Sequence, residues 1–384
     1  VRFVAEHAAL QGDAVLGEGA AMRFLPSRFD ARGRAIDPLG ATASRMACMR
    51  CHLEVPPAAL ELPQAIVSIV GAPASGKSVM LAAASFSLRS GLVVDGLEFI
   101  DADPSLNDLT LELESSLFRS STPDRPAMIA KTDLAGRLYR SFRVGDANWT
   151  APKPQLFVVG RGSQRRLLCL YDNAGEHFLP GADAPHEPVT RHLGVSRSLI
   201  FVVDPTQDQR VIERLGGREA VQAVGGAGSI DQRQDLILIE VANRVRRLRG
   251  LSAFDRLPFR IVLALSKADI WGAVTEPPIA ADFGGYRAGK SIAVPPKSVL
   301  KQVDATCRDF LSHYMPELLA TARALDPDLR IVPFSGLGHP PSSATRGERL
   351  AIRPRDVNPV WPAAPLVVAL AEAEPTLFPE HASK

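Results

Sequence analysis

Apolar residues fall along the chain in short unbroken runs, and longer stretches of helical periodicity lie between them. Ala65–Val70, Leu199–Val203, Arg260–Leu265 and Arg330–Phe334 have the length and continuity of buried strands rather than the alternation of half-exposed ones. Gln155–Val159 and Arg166–Tyr171 are joined by Gly160-Arg161-Gly162-Ser163, a hairpin signal, and Leu97–Asp101 reads as a further short strand. Helical spacing follows the first run, where Met80, Ala83, Ala84 and Leu88 stand at i, i+3, i+4 and i+8 and Gly91 is placed as a cap. Ser105–Phe118 carries Leu106, Leu109, Leu113 and Leu117 on one side. Helices are also expected from about Asp231 to Arg249 and from about Lys297, with a restart at Pro316 and an end near Asp326.

Elsewhere the pattern weakens. Residues 1 to about 60 have little periodicity and are rich in Gly, Pro and Arg, and Ser120–Thr150 is irregular. The Gly-rich break Gly225-Gly226-Ala227-Gly228 and the stretch between Pro277-Pro278 and Pro295-Pro296 read as breaks or surface loops. The tail from His339 is Pro-rich, with one apolar segment at Leu366–Ala371 that can finish the packing. The expected division is an N-terminal segment, 1–60, and a larger domain, 61–384, with insertions near 100–150 and 272–297.

Composition narrows the class. The 384 residues, 46% hydrophobic and 22% charged, suit a globular protein with room for a sizeable core. A net charge of +2 gives no long-range attraction to nucleic acid or anionic lipid. Arg244, Arg246, Arg247 and Arg249 close a helix, where cations complement its dipole, and read as a solvated end. No apolar run approaches the roughly 18 residues of a membrane span. Position 1 is Val, so the chain reads as a fragment, and four cysteines are too few for a disulfide scaffold, which points to a reducing cytoplasm.

The chemistry concentrates at strand ends. Directly after Ala65–Val70 stands Gly71-Ala72-Pro73-Ala74-Ser75-Gly76-Lys77-Ser78, a fit to G-x-x-x-x-G-K-[ST]. Gly71 and Gly76 let the backbone turn sharply around an anion, Lys77 supplies a point charge, Ser78 a hydroxyl for magnesium, and the helix its positive end. Asp172-Asn173-Ala174-Gly175-Glu176 closes the second hairpin strand, which makes Asp172 the candidate magnesium-linked carboxylate and Gly175 a residue that leaves room for a terminal phosphate. Asp204, before Pro205, reads as a turn or helix-cap residue. Cys48-Met49-Arg50-Cys51-His52 has the spacing of half a zinc site, with His52 or His7 as a third ligand. An unligated or redox-active pair and covalent haem are the other readings of that string. Cys169 and Cys307 read as small core residues.

Four strings, GAPASGKS, DNAGE, SKAD and SGLG, thus follow one another in a fixed order, each at the end of an apolar run. From about Ala65 to Gly338 the chain resembles the P-loop GTPases of the translation-factor and Ras-like (TRAFAC) class. The resemblance implies a three-layer α/β/α sandwich with a mostly parallel sheet and one antiparallel strand, preceded by a small Cys-containing segment. It implies a magnesium-dependent GTPase that cleaves the β–γ phosphoanhydride, with Gly71 to Ser78 on the phosphates, Ser78 and Asp172 on the metal, and Gly175 sensing the terminal phosphate. Glu176 falls where the water-orienting residue stands, with His177 as the neighbouring alternative. Lys267 and Asp269 match the guanine-reading string, in which Ser266 replaces the usual Asn, and Ser335 and Gly336 match the loop whose backbone touches the base. Thr132 takes the switch-threonine position by its place in the order. CMRCHLEVPP also resembles bacterial double-GTPase proteins of signalling or conflict systems, which implies protein effectors. A non-hydrolysing nucleotide-holding scaffold and an ATPase are the competing readings.

Overall fold

The computed structural model describes residues 1–90, 96–130, 139–144, 147–173, 175–179, 188–217, 220–221, 233–279, 294–339, 342–346, 349–379 and 381. Gly91, Thr132, Ala174, Asp231, the glycines at 225, 226 and 228, and residues 280–293 of the expected insertion lie outside these.

Seven strands make the central sheet, numbered here in chain order: β1 Gln64–Gly71, β2 Leu97–Asp101, β3 Gln155–Arg161, β4 Gln164–Asp172, β5 Ser198–Val203, β6 Arg260–Leu265 and β7 Arg330–Pro333. Their order across the sheet is β2-β3-β4-β1-β5-β6-β7. β3 pairs antiparallel with both β2 and β4, and every other pairing is parallel, so β3 alone runs against the rest. The unbroken apolar runs have their cause here: β5 is buried at all six positions and β6 at five of its six, because the inner strands are covered on both faces.

Among the described residues six longer helices accompany the sheet: α1 Lys77–Arg89, α2 Asp108–Phe118, α3 Gln234–Arg249, α4 Lys297–Tyr314, α5 Pro316–Leu325 and α6 Ala364–Ala373. α6 contains the apolar segment of the tail; it lies against β1, β5, β6 and β7, and its first eight residues are all buried. α1 is also buried nearly all round, at Leu81, Ala82, Ser85 and Ser87 as well as at the expected Met80, Ala83, Ala84 and Leu88. Cys169 and Cys307 are buried, and burial raises both thiols, Cys169 to about 12.

Three expectations are corrected. In α2 the buried positions are Thr110, Glu114 and Leu117, not a leucine stripe, because α1 presents Ser85 and Arg89 to it and Glu114 binds both. Arg244 is not at a solvated helix end: it is 5% exposed, bonds Glu240 at 2.8 Å and places its guanidinium 5.3 Å from the Phe178 ring centroid. Residues 2–55 are not irregular. Arg2–Val4, Arg23–Phe24, Met46–Ala47 and Glu54–Val55 form a four-stranded antiparallel sheet beside two small hairpins, Gln11–Asp13 with Gly17–Ala21 and Ala35–Ile36 with Thr42–Ala43. Strands of two to five residues are too short for their alternation to register in sequence. Ala5, Phe24, Ala35 and Ala43 form the small core beneath them.

Candidate functional site

Because β1, β4, β5, β6 and β7 are parallel, their carboxyl ends share one edge of the sheet, and the register aligns them: Asp172 lies opposite Ile69, Val202 opposite Gly71, and Leu265 between Val203 and Pro333. β1 has β4 on one side and β5 on the other, the chain reversing its direction across the sheet at this point, where open α/β sheets form their crevice. GAPASGKS, DNAGE, SKAD and SGLG all leave the sheet at this edge.

The glycine-rich loop has two different demands for glycine. Gly76 caps α1 with φ +90°, a left-handed backbone that suits glycine, and Ala74 enters the same region at φ 59°. Gly71 is the last residue of β1, and a Cβ there would stand 2.2 Å from the Val202 carbonyl oxygen, so the neighbouring strand rather than the loop's turn excludes a side chain. The buried Lys77 ammonium donates to the carbonyls of Gly71 at 3.0 Å and Ala72 at 2.8 Å. Desolvation pulls its pKa down, against the Asp172 and Glu176 carboxylates, which raise it.

Ser78 Oγ donates to Asp172 Oδ2 at 2.8 Å, so the first turn of α1 and the end of β4 meet at two oxygen-bearing side chains. Burial raises the Asp172 pKa, and Lys77 and Ser78 oppose that rise. Asp172 Oδ1 is buried and without a hydrogen-bond partner, as are Ser75 Oγ, Asn173 Oδ1 and Asp269 Oδ1. Hard oxygen donors beside an unfilled buried carboxylate oxygen fit a magnesium ion. Gly175 opens a 3₁₀ turn, Gly175–Phe178, and a Cβ on it would meet Pro73 N at 2.5 Å and Gly71 O at 2.6 Å. The turn therefore sits on the glycine-rich loop, with Glu176 near enough to act on Lys77.

Lys267 has φ 56° and pairs with Asp204 at 2.6 Å. Burial raises the Asp269 pKa, and the neighbouring Ser335 hydroxyl opposes that rise. Gly336 packs on α1, where a Cβ would stand 2.8 Å from Val79 Cγ1. Thus Gly71 to Ser78, Asp172, Gly175, Glu176, Lys267, Asp269, Ser335 and Gly336 border one edge of the sheet; Thr132 lies outside the described residues. Sequence reasoning took Asp204 for a cap only and passed over Gln207. Asp204 does cap, accepting from Thr206 N at 3.0 Å, but its second oxygen holds Lys267. An aspartate at a strand end, like Asp172, was the available signal.

At the other end of the chain, Cys48 and Cys51 are half-buried free thiols near enough to shift each other's titration. Cys48 Sγ accepts from Arg50 N at 3.4 Å. Burial raises Cys48, but the amides of Cys51 and Arg50 outweigh it and hold the thiol below its usual value; Cys51 is raised, first by burial. Neither expected histidine is a third ligand: His52 Nδ1 is 2.8 Å from both Asp13 carboxylate oxygens, and His7 Nδ1 accepts from Ala9 N. Among the described residues no group of three His, Cys, Asp or Glu side chains is placed to hold a metal ion.

No family model matches the chain, and no curated protein matches it. Among solved structures it is similar to sup35 complexed with GDP, at 13% identity over 72% of this chain and 38% of that one, with a TM-score of 0.24. It is similar to the S. cerevisiae Ski7 GTPase-like domain bound to GTP at 14% identity, over 72% and 43% of the two chains, TM-score 0.27. Similarity to an Aquifex aeolicus Era variant bound to GDP and aluminium fluoride is 14% over 73% and 53%, TM-score 0.25. The chain spans between 38% and 53% of the length of these three proteins.

Proposed function

We propose that this chain is a magnesium-dependent P-loop GTPase that hydrolyses GTP to GDP and phosphate, its helices covering both faces of the sheet as right-handed crossovers require. The observation that carries the reading is the Ser78–Asp172 contact beside Lys77, with one Asp172 oxygen buried and unfilled. Ser78 and Asp172 would hold the magnesium, with Thr132 assigned by motif order alone. Bound there, magnesium supplies charge neutralisation on the β- and γ-phosphates. Lys77 spends two of its three donors on loop carbonyls and keeps the third for a phosphate oxygen. The Gly175 amide meets the terminal phosphate, and Glu176 orients the attacking water. Lys267 and Asp269 read the base, the carboxylate through the guanine N1 and N2 hydrogens, and the Ser335–Gly336 backbone approaches its oxygen.

Two observations support base reading by Asp269: its Oδ1 is buried and has no partner, and the Ser335 hydroxyl of the final loop neighbours the carboxylate. The expected result in competition binding is displacement of labelled GTP by GTP well before ATP. The reverse order would make the chain an ATPase. Single-turnover phosphate release above that of Lys77→Ala is expected, and release no faster than that control sinks the enzyme.

A scaffold that holds nucleotide without turnover is the second reading. It is favoured by a carboxylate, Glu176, at the water-orienting position, close enough to act on Lys77. We place the chain among cytoplasmic bacterial signalling or conflict switches with protein effectors, on the CMRCHLEVPP resemblance and its four free thiols. No described helix is long and apolar enough to cross a membrane. For Cys48 and Cys51 we propose zinc on the C-x-x-C spacing alone, with Cys48, held below its usual value by backbone amides, as the readier thiolate and Cys51, raised by burial, as the harder one to ionise. Purified protein without bound zinc and with both thiols titratable would end that assignment.

A further inference from the structure

Ser266 cannot link the base loop to the phosphate loop, because its hydroxyl turns back onto the Val203 carbonyl at 3.1 Å. The link runs instead through the segment after β5. Asp204 is fully buried there and divides its two oxygens. Oδ1 accepts from Thr206 N at 3.0 Å and Thr206 Oγ1 at 2.7 Å, which completes the cap. Oδ2 has no part in the cap; it accepts from Lys267 Nζ at 2.6 Å and from Gln207 Nε2 at 3.2 Å. The same Gln207 nitrogen donates to the Pro73 carbonyl of the phosphate loop at 3.0 Å. One carboxamide, 4% exposed, therefore spends both hydrogens on bridging the two loops. Gln234 braces the cluster from α3, accepting from Asp204 N and donating to Asp204 O, each at 2.9 Å.

We infer that Gln207 and Asp204 are positioning residues that lock the base-reading loop to the phosphate loop, so that base specificity depends on a carboxamide bridge outside both motifs. The inference rests on the assignment of Lys267 and Asp269 to the base. A residue that merely stabilised the fold would affect every ligand alike. The bridge instead sets where Lys267, and Asp269 two residues on, stand relative to phosphates gripped by Lys77 and Ser78. Losing it separates the two ends of the nucleotide: the phosphates stay held while the base contacts lose their register.

The test compares binding of GTP, ATP and inorganic tripolyphosphate, each with magnesium, by wild type and Gln207→Leu. The preference for GTP over ATP is expected to fall about tenfold, the worth of a hydrogen bond to a charged partner, while tripolyphosphate binding changes less than about threefold. Gln207→Asn keeps the amide but is one methylene short of spanning both acceptors, and it gives the same readout should the leucine variant fail to fold. An unchanged preference, or equal weakening of all three ligands, overturns the bridge. Asp269→Asn separates the levels. If that variant loses preference while Gln207→Leu keeps it, the bridge alone is wrong; if both keep it, the base assignment falls and the bridge with it.

Discussion

The His192 imidazole closes a circuit of hydrogen bonds under the candidate site. Asn173 Nδ2 donates to His192 Nε2 at 2.8 Å, His192 Nδ1 stands 2.6 Å from Ser68 Oγ, Ser68 Oγ lies 2.5 Å from Ser196 Oγ, and Ser196 Oγ donates to the His192 carbonyl at 3.0 Å. A single assignment satisfies every contact: a neutral ring protonated at Nδ1, donating to Ser68, which donates to Ser196. Tyr171 stacks on the ring at 4.4 Å, and burial lowers the His192 pKa to about 3. A second proton, on Nε2, would face the Asn173 amide hydrogens. The linkage follows from the direction of that shift. The unfolded chain takes up a proton as pH falls through 6.5 and the folded one does not until about 3, so stability falls across that window by about 1.4 kcal/mol per pH unit. Urea titrations of wild type and His192→Gln between pH 7 and 4 are expected to diverge, with the wild type losing more. Parallel curves would mean that His192 titrates freely. Nothing in the sequence marks this residue, since its partners come from three separate segments.

At the scale of elements, legibility tracked burial on both faces. β1, β5 and β6 were visible as apolar runs because almost all of their residues are buried, and α1 because its helical spacing places Met80, Ala83, Ala84 and Leu88 in the core. The N-terminal strands, and the pair Ser342–Arg346 and Arg349–Ile352 in the tail, were not, since two to five residues carry too little pattern. α2 was legible as a helix, but its buried face was not, for another reason: Thr110 and Glu114 share that face with Leu117. Glu114 is 2% exposed, accepts from Ser85 Oγ at 2.7 Å and pairs with Arg89, whose guanidinium also holds Asp101 at 2.7 and 2.8 Å. A helix joined to its neighbour by a buried ion pair presents leucines elsewhere, and periodicity then misplaces the face. Removing one partner of such a pair leaves the other desolvated, so Glu114→Ala is expected to cost about 3 kcal/mol in urea unfolding, the low end of the range because Asp101 still holds Arg89. Glu114→Leu, which fills the space without a charge, should cost more in the presence of Arg89 than in an Arg89→Met background. Equal costs in both backgrounds would show that the pair is not coupled.

Across the whole molecule the site is assembled from five strand ends that only the parallel sheet brings together, and this has a thermodynamic consequence. The order of the four strings was readable because each follows an apolar run. The couplings between them were not, because Asp204 with Lys267, Asp269 with Ser335, and Gly336 on Val79 are contacts between distant segments. Asp172 Oδ1 and Asp269 Oδ1 are buried without a protein donor, so a ligand that supplies a partner to each gains interaction there. A ligand that satisfies both binds the folded chain alone, so it stabilises by mass action, about 2.7 kcal/mol at a hundredfold excess over its Kd. GTP with magnesium is therefore expected to raise the unfolding midpoint by several degrees, GTP with chelator by less, and magnesium tripolyphosphate by an intermediate amount because it leaves Asp269 unfilled. Lys77→Ala should abolish the GTP response, since the ammonium stands beside both Asp172 and Glu176. A shift of equal size in that variant would place the nucleotide somewhere other than this edge of the sheet.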